Sequence, residues 1–120
     1  MYKPTKKDCK FWFNYYNELL FDHKLKQFRK IKFTKFQKEC YLGWCIGYIS
    51  PKRKIRYSKL ILTPEFTSID LFKITLIHEM VHHYQWLFHK VINHGKTFTK
   101  WKEKVEKLTT YELSERIPIE

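Results

Sequence analysis

Two histidines four residues apart, with a glutamate beside the first, make up the stretch His78-Glu79-Met80-Val81-His82. On a helix, side chains at i and i+4 are neighbours, with Cβ atoms about 5–6 Å apart. His78 and His82 can then each turn a ring nitrogen toward one metal ion, and zinc takes such nitrogens at about 2.0–2.1 Å. Glu79 lies roughly 100° further round the helix. Its carboxylate then stands beside the ion and can deprotonate a bound water, whose pKa zinc lowers toward about 7. The resulting nucleophile suits a peptide carbonyl, with the carboxylate returning the proton to the leaving amine. Two such histidines with a glutamate base form the pattern of a zinc peptidase.

A catalytic zinc ion takes three protein ligands and keeps one position open. Of the remaining histidines, His94 is the best placed to be the third. It lies in a polar loop, and Gly95 after it lets the backbone turn back over the helix. His83 points about 100° away from His82, which suits a supporting or surface role. His89 falls near the helix end, where the dipole favours a cation. His23 sits in a turn, where a surface position is expected. The expected cofactor is one Zn2+ per chain.

These residues need a helix to hold them, and the pattern supplies one over residues 69–88. Thr67 followed by Asp70 resembles a capping box, with Asp in place of Glu. Leu71, Ile74, His78, Val81 or His82, Gln85 and Phe88 trace one broad stripe along it. An earlier helix is expected from about Thr5 or Asp8 through Phe21, with Trp12, Tyr15, Tyr16, Leu19 and Leu20 on neighbouring faces. Between the two helices lie three strand signals: residues 30–34, 42–50 and 55–63. The second carries Trp44, Ile46 and Tyr48 at period two, with Gly43 and Gly47 opposite, where a bend or a close approach is expected. Residues 51–54 suit a hairpin turn. Thr97 is expected to open a last helix carrying Phe98, Trp101, Val105 and Leu108 on one face, and Pro118 argues against helix in the tail. The fold class is therefore α+β: an N-terminal helix, a small, mostly antiparallel three-stranded sheet, the metal-binding helix and a C-terminal helix.

At 120 residues the chain suits a single domain, with its core over about 8–110. Its 43% hydrophobic and 18% aromatic content is enough for a packed core and excludes a disordered chain. A formal charge of +12 favours polyanions, nucleic acid first. No apolar run is long enough to span a membrane, and residues 1–10 are polar and basic, unlike a secretion signal. Cys9, Cys40 and Cys45 are too few for a disulfide framework. They are expected to be reduced, with Cys45 packed in a strand. An intracellular, non-secreted monomer, in the cytoplasm or the nucleus or nucleoid, fits these features.

From about Phe11 to about Trp101 the chain resembles the SprT-like, or Spartan-like, zinc metalloproteases. The resemblance rests on residues 14–25 at the opening helix and the turn after it, on the Gly43 strand and hairpin, on His78-Glu79-Met80-Val81-His82, and on His94-Gly95-Lys96-Thr97-Phe98. It implies a minimal zincin-like domain with His78, His82 and His94 as zinc ligands and Glu79 as the catalytic base. It also implies a protease that binds DNA, single-stranded or at junctions, and degrades proteins crosslinked to it. Only 19 residues follow Trp101, without cysteine, so a zinc ribbon of the kind some relatives carry is not expected. DNA contact is then expected from the domain's own surface: Lys52, Arg53, Lys54 and Arg56 around the hairpin, and Lys96, Lys100, Lys102 and Lys104 near the last helix. Trp44 or Trp86 could stack on unpaired bases, although core packing is the stronger expectation for both. Two alternatives remain: a non-catalytic nucleic-acid-binding module with a structural or vestigial zinc, and a zinc peptidase with no nucleic-acid role.

Overall fold

The computed structural model describes residues 1–36 and 41–114. Cys40, Glu39 and Pro118 lie outside them. The elements run α1 (Lys6–Phe21), β1 (Lys30–Phe33), β2 (Gly43–Ile49), β3 (Arg56–Leu62), α2 (Ile69–His89), α3 (Lys96–Thr99) and α4 (Trp101–Leu108), an α+β arrangement.

A reciprocal capping box starts α1: the Asp8 N–H donates to Thr5 Oγ1 at 3.1 Å, and the Thr5 N–H donates to Asp8 Oδ2 at 2.9 Å. Its buried line is Cys9, Phe13, Tyr16 and Leu20. That line is rotated from the expected one: Trp12 and Leu19 border it, and Tyr15 is exposed. The helix ends at Asp22 and His23, both in the left-handed region at φ 52° and 59°. Buried Asn17 fastens the turn by donating to the Leu25 carbonyl at 2.8 Å and accepting from the Leu25 N–H at 3.1 Å.

The sheet order is β1-β3-β2. β2 and β3 form the expected antiparallel hairpin through residues 51–54, but β1 pairs with β3 in parallel, so the sheet is mixed rather than mostly antiparallel. The chain leaves β1, crosses to the far edge as β2, and turns back into the centre. β3 can take that centre because Ser58, Leu60 and Leu62 alternate inward along it.

α2 packs on the sheet, with a core that includes Leu60, Leu62, Phe72, Leu76 and Met80. Ser68, not Thr67, is its N-cap, accepting the Leu71 N–H at 3.1 Å. Through its middle the helix is buried almost all round, from Thr75 to His83, so the expected stripe is too narrow. The two glycines of β2 face it. A Cβ on Gly43 would lie 2.9 Å from Thr75 Cγ2, and one on Gly47 would lie 2.6 Å from Trp86 Cδ2. Of the two expectations for these glycines, the structure shows close approach. It also turns Trp44, Ile46 and Tyr48 to the opposite face, and Trp44 is 56% exposed rather than packed in the core. Trp86 packs over Gly47 and donates its indole N–H to the Tyr48 carbonyl at 3.0 Å. Cys45 is buried in its strand, as expected, and Cys9 and Cys45 are free thiols.

The last helix comes in two pieces, α3 and α4, joined at Lys100. Phe98 and Val105 are buried, Trp101 is half-buried against Phe21 and Tyr84, and Leu108 is exposed. Among the described residues, no helix is long and apolar enough to cross a membrane.

Candidate metal centre

One turn of α2 carries His78 and His82, and the loop before α3 returns His94 to them. His82 Nε2 lies 3.2 Å from His78 Nε2, and His94 Nε2 lies 3.4 Å from it. Two nitrogens bound at 2.0–2.1 Å to one tetrahedral ion stand about 3.3–3.4 Å apart. The three ligand atoms all fall within 4.8 Å of one another, the first two histidines buried and His94 exposed. That leaves one side of the cluster open to solvent.

Hydrogen bonding fixes which nitrogens face each other. His78 Nδ1 meets the Ser114 carbonyl at 3.1 Å, and a carbonyl only accepts, so Nδ1 carries the proton. The same logic reaches His82 through Gln85. Asn93 Oδ1 accepts the Gly95 N–H at 3.0 Å, so it is an oxygen. The Gln85 group facing it at 3.2 Å must therefore be the NH2, which also donates to Thr97 Oγ1 at 2.8 Å. Gln85 Oε1 then accepts from His82 Nδ1 at 2.7 Å. Burial, with the neighbouring imidazoles adding to it, pushes the pKa of His78 down to about 3, and burial pushes that of His82 down to about 4. Both rings are neutral at pH 7, with their bare Nε2 atoms 3.2 Å apart. Two lone pairs at this distance repel unless a cation lies between them. The donor set therefore fits a metal ion, and three imidazole nitrogens suit zinc.

Behind the rings sits Phe98, buried, with centroid distances of 5.0, 4.9 and 4.9 Å to His78, His82 and His94. Gln85, Phe98 and Ser114 are supports that sequence reasoning missed. Gln85 did offer a signal: it is an amide in the stripe of α2, one residue short of a turn after His82.

Glu79 is buried between α2 and the edge strand β2, its Oε2 3.2 Å from the position a Cβ on Gly43 would take. Burial pushes its carboxyl up to about 8, while the backbone N–H of Cys45 favours the charged form. The carboxylate thus has a fixed donor in the sheet, with no side-chain cation competing for it in the hydrogen bonds described.

The other histidines stay away from the cluster. His83 is neither surface nor support. It is 1% exposed, pairs through Nδ1 with Ser58 Oγ, and through Nε2 with the Lys26 carbonyl at 2.7 Å, which pins α2 to β3 and to the loop before β1. His23 is exposed in its turn, and His89 is half-exposed with Lys100 Nζ at 3.4 Å. Among the basic candidates, Lys52, Arg53 and Lys54 are exposed in the hairpin turn, and Lys96 and Lys100 are exposed at either end of α3. Arg56 is half-buried and donates to the Leu87 carbonyl at 3.2 Å, which ties β3 to the last turn of α2. Lys102 bridges Glu106 and Glu112 at 2.6 and 3.2 Å, and Lys104 lies 5.5 Å from the Trp101 ring centroid.

Fold and cluster together define a small α+β domain whose central helix and following loop supply three histidines able to hold a metal ion. The chain belongs to the SprT-like family, whose model matches residues 9–119. A search of curated proteins finds no match to it.

Proposed function

We propose that the chain is a zinc-dependent endopeptidase that cleaves proteins bound or crosslinked to DNA. The observation that supports it most is the convergence of three imidazole nitrogens, two with tautomers set by Ser114 and Gln85, on a helix whose next residue after His78 is a buried glutamate. His78, His82 and His94 would hold the ion, and zinc bound there supplies a Lewis acid and lowers the pKa of water. In its ionised form, which burial disfavours below about pH 8, Glu79 would accept the proton of the attacking water and return it to the leaving amine. The Cys45 N–H, by donating to Glu79, favours that ionised form. Exposed His94 marks the side from which a polypeptide can reach the ion's ligands. The charge of +12 supports the nucleic-acid half of the reading by favouring a polyanionic partner.

The test is incubation with a DNA-crosslinked protein, with and without free DNA, comparing the wild type with Glu79→Gln. Cleavage by the wild type alone, stimulated by DNA, is the expected result. Equal behaviour of the two proteins would favour a non-catalytic module, and cleavage indifferent to DNA would favour a peptidase with no nucleic-acid role.

A further inference from the structure

The sheet has two unlike faces. Cys45, Ser58, Leu60 and Leu62 point into the core toward α2. The opposite face pairs Tyr48 with Tyr57, Ile46 with Lys59 and Trp44 with Ile61 across β2 and β3. Its rings and cations are already assembled. Tyr48 and Tyr57 stack with centroids 5.4 Å apart and planes 10° apart. Lys59 Nζ lies 4.4 Å from the Tyr48 centroid, and the Arg29 guanidinium carbon lies 4.2 Å from that of Tyr57. Four residues along β2, about 13 Å away, Trp44 stands 56% exposed. Lys30 and Lys32 of β1 are exposed and pair in register with Lys59 and Ile61, so they share this face.

An exposed tryptophan and a tyrosine pair at the two ends of a basic strip present a ligand with both planar and anionic groups to bind. From His23 to Pro64 the sequence holds twelve lysines and arginines against the single acid Glu39, which lies outside the described residues. Cation–π contact holds the Arg29 and Lys59 head groups over the rings, so less side-chain freedom is lost when they meet a phosphate. Duplex DNA offers phosphates but keeps its base faces stacked, whereas a single strand offers both. A second copy of the chain would bring one basic face against another. We infer that this outer sheet face, with Trp44 as the exposed stacking platform and Arg29 and Lys59 as phosphate contacts, binds single-stranded nucleic acid. It rests on the nucleic-acid half of the proposed function and moves its main surface from the hairpin tip and last helix to the sheet.

Fluorescence anisotropy with a labelled 15-nucleotide oligodeoxythymidylate, over a range of salt, tests it. Trp44→Ala is expected to weaken binding about fivefold or more, and Trp44→Phe to restore most of the affinity. Arg29→Ala is expected to lower the salt slope by about one. All three variants should keep the wild-type thermal melt, zinc content and cleavage of an unbound protein. A hairpin variant with Lys52, Arg53 and Lys54 all changed to alanine should lose less than Trp44→Ala at high salt. Wild-type affinity in folded Trp44→Ala overturns the assignment, as does a loss of poly-glutamate binding without a loss of oligonucleotide binding, which would mark an acidic-protein surface. No oligonucleotide binding by the wild type overturns the nucleic-acid half of the function as well.

Discussion

Replacing Gln85 by leucine places an apolar side chain of similar bulk in the buried position and removes the carboxamide. Gln85 is 0% exposed, and its two polar atoms serve four contacts: His82 Nδ1 at 2.7 Å, Thr97 Oγ1 at 2.8 Å, Asn93 Oδ1 at 3.2 Å and the Asn93 N–H at 3.4 Å. Without Oε1, the His82 Nδ1–H has no acceptor, and the ring is free to rotate or to change tautomer. Losing such a support costs about 10–100-fold in metal affinity, or about 1.4–2.7 kcal/mol. The bonds to Asn93 and Thr97 flank His94, so the loop that carries the third ligand is released by the same change. Each is a neutral hydrogen bond contributing about 1 kcal/mol, and the upper half of the affinity range is therefore expected. Gln85→Glu should fall between, because a carboxylate still accepts from His82 and from the Thr97 hydroxyl but faces Asn93 Oδ1 without a donor. The assay is zinc competition against a chromophoric chelator at fixed pH and salt, with circular dichroism to show that the fold is retained. A folded Gln85→Leu protein that binds zinc within twofold of the wild type would refute the account of how the site is held together.

Three further outcomes follow from the packing. His83→Ala removes a fully buried ring and leaves Ser58 and the Lys26 carbonyl without their partner, so the urea midpoint should fall by the equivalent of about 3 kcal/mol or more, with zinc binding preserved in the folded protein. Gly47→Ala drives a Cβ into the Trp86 indole, and chemical denaturation should show a loss of about 1–3 kcal/mol, relieved when Trp86→Leu is added. Chelation by EDTA should lower the melting temperature of the wild type, and zinc at 100 times its dissociation constant should restore about 2.7 kcal/mol; a melt indifferent to both would argue against a bound ion.

The metal helix could be read from the chain because its chemistry is local. Residues four apart on a helix meet whatever surrounds them, and a histidine in a loop with glycine behind it can return to the same face. His78, His82 and His94 needed no knowledge of the sheet. The same holds for the Thr5–Asp8 cap and the hairpin at residues 51–54, each closed over a few residues. One-residue errors arose where neighbouring residues are chemically equivalent: Ser68 caps α2 where Thr67 could have, and the buried line of α1 runs through Phe13 where Trp12 offered as much apolar area.

Tertiary structure decided what depends on partners distant in sequence. Alternation along β2 defines two faces but not which one is inside. The inside went to Gly43, Cys45 and Gly47 because α2 packs too close for larger side chains, and that sent Trp44 out to solvent. The parallel pairing of β1 with β3, the tie from Arg56 to Leu87 and the burial of His83 all join segments far apart in the chain. Residue types and spacing alone determined which three side chains can come together to hold a metal ion. The folded chain decided, through Gln85 and the Ser114 carbonyl, which nitrogens are bare and where they point, because a tautomer is set by the partner of the other nitrogen, and Ser114 reaches His78 across 36 residues of sequence.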